Sequence, residues 1–400
     1  MAILSVNAGS SSLKFALYPL HQGQVQPQIL SGLIEGLEPG GAPHMRWTYQ
    51  DQTGQRSLAL QGDHVFRQAL HGLRDLLTQL PGVPTLAAVA HRVVHGGAMY
   101  RASVIVTDEV LAQLTRLNSL APLHQPHNLE GVRAFRDAFA GLPQIACFDT
   151  AFHNTLPELE YRFALPQALY DQGLRRYGFH GLSYQYVMAT LEHCSSRANG
   201  RVLMAHLGNG ASLCAALGGK SRATTMGFSA LDGLMMGTRT GSLDAGVILY
   251  LLEQGWDHDR LQKLLYKQSG LLGVSGISAD MRCLRGDAGT NVNAQLAIDL
   301  FTYRVVRESG ALAASMQGLD VLTFSGGIGE HDAALRAQVG QQLRWMGVLL
   351  DQQRNALATG DTLMAIHAPQ SQVEVWVVPT DEGVVAAREA AQLVWPVHVA

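Results

Sequence analysis

An apolar run, a glycine-rich turn and a second apolar run occur at two distant places in this chain, and the recurrence restricts its fold more than any other feature. Near the start, Ile3-Leu-Ser-Val6 leads into Asn7-Ala-Gly-Ser-Ser-Ser-Leu-Lys14, after which Leu13, Phe15 and Leu17 alternate as a strand does. In the second half, Arg201 to Leu217 reads Val-Leu-Met-Ala-His-Leu-Gly-Asn-Gly-Ala-Ser-Leu-Cys-Ala-Ala-Leu after the arginine, and Ser12, Leu13, Ala16 and Leu17 line up with Ser212, Leu213, Ala216 and Leu217. A duplicated strand–turn–strand unit explains the match; a chance alignment of small residues is the alternative. The first turn lacks the G-x-x-x-x-G-K-[ST] of a P-loop. Its glycine, hydroxyls and Lys14 still offer the N–H groups, O–H groups and cation that suit a polyphosphate, although a lone Gly/Ser turn is ordinarily just a hairpin.

Four hundred residues exceed what one core organises, so two domains are expected: 1–150 with about 384–400, and 151–383. With 47% apolar residues, 15% charged and a formal net charge of −3, bulk charge does not point to a nucleic-acid or membrane partner. No Lys or Arg precedes the first apolar run, and no stretch approaches the 18 apolar residues of a membrane span. Cys147, Cys194, Cys214 and Cys283 lack C-x-x-C or metal-ligand spacing. They fit a reducing compartment, and a cytoplasmic location is the expectation.

Strands are predicted at Ile29 to Leu37, His44 to Tyr49 and Ser57 to Leu60, then a helix from Val65 to Leu80 with Leu70, Leu73, Leu76, Leu77 and Leu80 on one face. Leu86 to Val94 reads as a buried strand, helices follow at about Asp108 to Leu120 and Asn128 to Phe139, and the strand Gln144 to Phe148 ends in Asp149. Beyond Ala151 the pattern restarts. Helices are predicted at about Asp244 to Gln254, His258 to Lys267 and Asn293 to Met316, the last with Leu296, Leu300, Tyr303 and Val306 as its apolar stripe. Val321 to Phe324 enters Ser325-Gly-Gly-Ile-Gly-Glu330, a third glycine loop, followed by a helix from about Asp332 to Trp345. A strand from Val373 to Val378 and a final helix, Val384 to Val394, complete an α/β chain with functional groups at strand ends.

Three glycine loops, each behind an apolar strand, make phosphate binding the economical reading of the set, because a backbone without Cβ can approach phosphate oxygens to about 3 Å. Arg92, His180 and Arg239 sit among glycines and small residues, suited to the charge of a transferring phosphoryl group. Asp149 is the natural carboxylate near Mg²⁺, which prefers oxygen ligands. A buried Arg92–Asp149 ion pair and a His180 bonded within the core are the alternatives. His91, His95, His124, His127 and His153 crowd one region without H-E-x-x-H or another helical ligand pair, so a zinc hydrolase is not the reading.

Asn7 to Lys14, His91-Arg-Val-Val-His-Gly-Gly97, Phe148-Asp-Thr-Ala-Phe-His153, Arg176-Tyr-Gly-Phe-His-Gly181, His206 to Ser212, Met236-Gly-Thr-Arg-Thr-Gly241 and Phe324 to Glu330 together resemble the acetate kinases, in order and over essentially the full length. The resemblance implies two actin-like, ribonuclease H-like domains with a duplicated βββαβαβα core and a nucleotide cleft between them. It implies a homodimer and a phosphotransferase with a carboxyl acceptor, making acetyl phosphate from acetate and ATP, reversibly, by direct in-line transfer. Mg²⁺ is the implied metal, with Mn²⁺ as a substitute. Carried over by position, Asn7 and Glu382 hold the metal, and Lys14 reaches the phosphates. Arg92 binds the acetate carboxylate, and Asp149, His180 and Arg239 are catalytic. Val94, Leu123 and Phe179 form the methyl pocket. The nucleotide falls to His206, Leu207, Gly208, Asn209 and Gly210, to Asp280, Met281 and Arg282, and to Gly327, Ile328, Gly329, Glu330 and His331.

Some positions depart from the family pattern. His331 stands where the family has a base-contacting Asn, so the family's base preference does not carry over there. Ala230 replaces a common Pro beside the methyl pocket; a methylene is worth only about 1–3 kcal/mol in discrimination, so propionate is expected as a substrate too. Ala98 replaces an acidic residue, Ser242 and Ala245 replace an Asp and a Pro, and Gly383 replaces the second Glu of Asn-Glu-Glu, with Asp381 before Glu382. A non-catalytic nucleotide switch would leave Arg92, Asp149, His180 and Arg239 without a reason to occur together. A sugar kinase would need a base for a hydroxyl and a polar substrate pocket.

Overall fold

The computed structural model describes residues 1–9, 11–38, 40–58, 65–122 and 124–395. The chain divides into two compact units, Met1–Ala151 with Asp381–Ala400, and Phe152–Thr380.

Among the described residues, the first unit holds a nine-stranded sheet: β1 (Ala2–Ala8), β2 (Ser12–His21), β3 (Gln24–Val25), β4 (Leu30–Glu35), β5 (His44–Tyr49), β6 (Gln52–Ser57), β7 (Leu86–Val93), β8 (Val104–Ile105) and β9 (Gln144–Phe148). Their order is β6-β5-β4-β2-β1-β7-β9-β8, with β3 on β2. β1 runs antiparallel to β2 and parallel to β7, which is parallel to β9. A central strand with parallel neighbours has helices on both faces and is apolar on both. Accordingly, β1 is buried along nearly its whole length. Leu70, Leu73 and Leu76 of the helix Val65–Gln79 pack with Leu4, Val6 and Phe15, and the chain's last helix, Glu382–Val394, meets β1 and β7. The strand expected at Ser57 to Leu60 begins earlier, at Gln52; residues 59 and 60 lie outside the described residues.

The second unit repeats the plan: β10 (Arg201–Leu207), β11 (Ala211–Leu217), β12 (Lys220–Thr224), β13 (Val321–Ser325), β14 (Met364–Ala365) and β15 (Glu374–Val377), ordered β12-β11-β10-β13-β15-β14. The antiparallel β10–β11 pair and the parallel β10, β13 and β15 reproduce β1–β2 with β1, β7 and β9. The helix Val292–Met316 buries Ala294, Ala297, Ile298, Phe301 and Val305. The stripe expected to face the core is therefore the other one, with Leu296 at 54% and Tyr303 at 55% exposure. The helix is apolar on two faces, so periodicity alone did not select which is buried, and the side carrying Ala294, Ala297, Ile298 and Phe301 is the buried one.

Two histidines are sealed into these cores. His91 Nε2 is 2.7 Å from Gln144 Oε1, and His153 bonds Ser221 Oγ at 2.8 Å and the Phe179 carbonyl at 2.9 Å. Burial, opposed by these hydrogen bonds, pushes both imidazoles down to about 4. The unfolded chain takes up these protons near 6.5, so it binds more protons than the folded protein between pH 6.5 and 4. Stability should thus fall as pH drops through that window, by up to about 1.4 kcal/mol per pH unit per histidine. Urea unfolding at pH 7, 5.5 and 4.5 checks this, and His153→Gln should flatten the slope; a pH-independent midpoint would refute it.

Candidate active site

In the first unit the parallel strands β1, β7 and β9 deliver their carboxyl ends to one edge of the sheet, where α/β proteins place their ligands. Asn7, one residue before the end of β1, pairs with Lys14 on β2, and the Gly9 N–H to Ser12 carbonyl bond of 2.8 Å shapes the turn. Asn128 ties two strand ends together, donating from Nδ2 to the Ala8 carbonyl at 2.7 Å and accepting from the Val94 N–H at 3.0 Å. Asp149, just past β9, receives the Arg92 fork: Nε to Oδ1 at 3.0 Å and Nη2 to Oδ2 at 2.7 Å. Glu382 Oε2 lies 3.4 Å from the same Nε. Burial opposes the charge on Arg92, but the Asp149 and Glu382 carboxylates outweigh it and hold the guanidinium protonated above its usual range. The ion pair considered from the sequence is formed, and it keeps a cation and two carboxylates together at the sheet edge. Val94 is nearly buried beside this edge; Lys14 is exposed and lines a groove with Ser31, Arg46 and Thr48. Ser10 and Leu123 lie outside the described residues.

The second unit assembles its own polar centre. His180 precedes the helix Gly181–Cys194 in the left-handed region, at φ 59°, a conformation that side chains other than glycine seldom adopt. It is held from three directions: the preceding carbonyl, of the buried Phe179, accepts from His153, Nδ1 bonds Ser212 Oγ at 2.8 Å, and the ring stacks on His206 at 4.3 Å. Ser183 Oγ fixes His206 Nδ1 at 2.8 Å. Arg239 Nη1 donates to the Ala230 carbonyl at 2.7 Å. A Cβ placed on Gly210 would lie 3.3 Å from Arg239 Nη2 and 3.5 Å from His180 Nε2, so the glycine loop, the arginine and the histidine meet at one point.

A cavity of about 960 Å³ opens in the same unit, lined by Gly208, Asn209, Asp280, Met281, Arg282, Gly327, Ile328 and His331. Leu207 and Gly329 are buried, and the Glu330 carboxylate turns to backbone, accepting from the Gly326 N–H at 2.8 Å and the Thr380 N–H at 3.1 Å. The third glycine loop is already helical, Gly326–His331, and Asp332 caps the next helix, Ala333–Gln342. His331 Nδ1 donates to the Thr359 carbonyl, which leaves Nε2 of the neutral ring as an acceptor. Arg285 was not anticipated. It lines the cavity, its Nε donates to Asp332 Oδ2 at 3.0 Å, and its Nη2 is buried with no hydrogen-bond partner among the described residues. Its spacing of three from Arg282 on the helix Met281–Asp287 was the available signal.

Two sheets of one strand plan, each carrying a glycine hairpin, with a charged edge in one unit and a cavity in the other, define a two-domain actin-like α/β protein. The chain belongs to the acetokinase family, whose profile matches residues 2–388. It is 49% identical over 395 residues, 98% of each chain, to a protein named acetate kinase from Rhodopseudomonas palustris. Among solved structures, it resembles a propionate kinase from Francisella tularensis subsp. tularensis (TM-score 0.89, 35% identity, 97% of this chain and 98% of that one). It also resembles the acetate kinase of Porphyromonas gingivalis (TM-score 0.87, 36% identity, 98% and 99% covered).

Proposed function

We propose that this protein transfers the γ-phosphoryl group of ATP to acetate, giving acetyl phosphate and ADP, and catalyses the reverse reaction. The observation that carries the reading is Arg92, kept charged by Asp149 and Glu382 at the sheet edge. A fixed guanidinium suits a carboxylate acceptor, and the apolar Val94 at the same sheet edge suits its methyl group. A carboxylate is already nucleophilic, so no strong base is required. Positioning, together with charge neutralisation by His180 and Arg239, carries the barrier reduction, and Asp149 holds Arg92 in place. ATP occupies the cavity of the second unit, over Gly208, Asn209, Asp280 to Arg282 and Gly327 to His331.

The residues fit a hard divalent cation, because two carboxylates converge on Arg92 Nε and the Asn7 amide stands at the neighbouring strand end. Asn7 and Glu382 would hold Mg²⁺ or Mn²⁺, which supplies charge neutralisation at the nucleotide phosphates. Supporting a homodimer, the helix Ala245–Glu253 buries no residue, with Leu249 62% and Tyr250 58% exposed, and Leu296 and Tyr303 add a second outward apolar face. The free thiols of all four cysteines favour a reducing compartment, the cytoplasm.

Propionate is the second reading, favoured by the small Ala230 beside Arg239. Hydroxylamine trapping of acyl phosphate tests both. We expect hydroxamate with acetate and ATP, with kcat/KM for propionate within about 10-fold of acetate and butyrate poorer. No hydroxamate with either acid at millimolar concentration would refute the proposal.

A further inference from the structure

Glu382 opens the helix Glu382–Val394, so the turn that starts this helix sets where its carboxylate points. Asp381 caps the turn, its Oδ1 accepting from the Val384 N–H at 3.0 Å. The same Oδ1 accepts a 2.7 Å hydrogen bond from the hydroxyl of Tyr18, on β2, which is only 1% exposed. The space for this phenol exists because residue 383 is glycine. A Cβ there would lie 2.5 Å from the Tyr18 hydroxyl, 3.2 Å from Asp381 Oδ1 and 3.4 Å from Ser5 Oγ. A helix start needs only the aspartate. A buried tyrosine reaching the same oxygen, over a helix position stripped of its side chain, fixes the cap against the sheet as well. The result is visible at the next residue, where Glu382 Oε2 stands 3.4 Å from Arg92 Nε.

We propose that Tyr18 is a positioning residue, and that Tyr18, Asp381 and Gly383 together hold the Glu382 carboxylate in the orientation that takes a divalent cation. The two departures in the last motif, Asp381 and Gly383, are then one device with Tyr18. The proposal rests on the reading of Glu382 as a metal ligand. Partners that orient a ligand typically govern metal affinity by 10–100-fold, so Tyr18→Phe should weaken binding by about 10-fold.

The test titrates Mn²⁺ into the full chain with ADP, following free Mn²⁺ by electron paramagnetic resonance, beside thermal unfolding and the Mg²⁺ dependence of the initial rate. Tyr18→Phe should raise the Mn²⁺ dissociation constant about 10-fold, raise the half-saturating Mg²⁺ in step and leave kcat at saturating Mg²⁺ within about 2-fold. Gly383→Ala, which takes the phenol's space, should act in the same direction and serves if Tyr18→Phe folds poorly. In the Glu382→Gln background, Tyr18→Phe should add little further weakening. If Glu382→Gln weakens Mn²⁺ binding but Tyr18→Phe and Gly383→Ala do not, the positioning role is overturned and the metal-ligand reading stands. If Glu382→Gln itself leaves Mn²⁺ binding unchanged, the metal-ligand reading fails and takes the proposal with it.

Discussion

Arg239→Ala is expected to lower turnover by on the order of 10³-fold while ADP binding stays within a few-fold. An arginine that meets the charge of a transferring phosphoryl group is worth about 10³–10⁵ in rate, and Arg239 is built for such a task. One arm is anchored by Nη1 on the Ala230 carbonyl, and the other, Nη2, stands over Gly210 beside His180. Among the described residues, neither Arg239 nor His180 lines the cavity that would take the nucleotide, so truncation should spare ground-state binding. Arg239→Lys should restore little, because a lysine keeps the charge but not the planar fork. Initial rates by hydroxamate formation and calorimetric titration of ADP decide the matter; unchanged turnover would remove Arg239 from the chemistry.

The largest stability effect should come from a residue outside the proposed chemistry. Arg336 is fully buried, and it spends all five N–H groups on the protein. Nε donates to Asn355 Oδ1 at 2.8 Å, Nη1 to the Gly329 and Glu330 carbonyls at 2.9 and 2.7 Å, and Nη2 to the Asn355 and Ala358 carbonyls at 2.9 and 2.8 Å. Burial pulls the guanidinium down to about 10 against the attraction of Asp332, which leaves it charged at neutral pH. Arg336→Met would strand four carbonyls and an amide oxygen in the interior, at a cost of about 3–5 kcal/mol. Because Gly329 and Glu330 end the short helix whose Gly327, Ile328 and His331 line the cavity, KM for ATP should rise as well. Urea unfolding and ATP saturation curves measure both effects. A midpoint within the error of the parent protein would show that the fan of bonds carries no net stability.

Arg336 also marks where sequence reasoning stops. The glycine hairpins were legible because glycine and serine between apolar runs allow few backbone alternatives, and both formed as antiparallel pairs, although Leu13 faces Ala8 while Leu213 faces Ala205. Arg92 and Asp149 were legible as charges at the ends of buried strands, and they meet there. The helix Gly326–His331 was not, since three glycines in six residues argue against a helix on propensity alone. It forms because Arg336 binds carbonyls at its end and the Glu330 carboxylate binds the N–H of Gly326. Those partners lie within seven residues but are side chains bonding to backbone, which propensity does not weigh, whereas the partners of Arg285 and of the Tyr18 phenol are 47 and 363 residues away. The helix Val292–Met316 failed in the opposite way, offering two apolar faces where one was expected.

The first unit is completed by a segment that follows the whole of the second unit in the chain. Val384, Val385, Ala386, Ala387, Ala390 and Ala391 are the buried residues of the helix that meets β1 and β7, and Asp381 and Glu382 arrive with them. A ribosome therefore releases the whole of the second unit before the first can close one face of its sheet or gain its second carboxylate beside Arg92. Nascent chains of every length short of this helix carry an uncovered sheet face and an incomplete charged edge, so the edge becomes whole only after the second unit has been made.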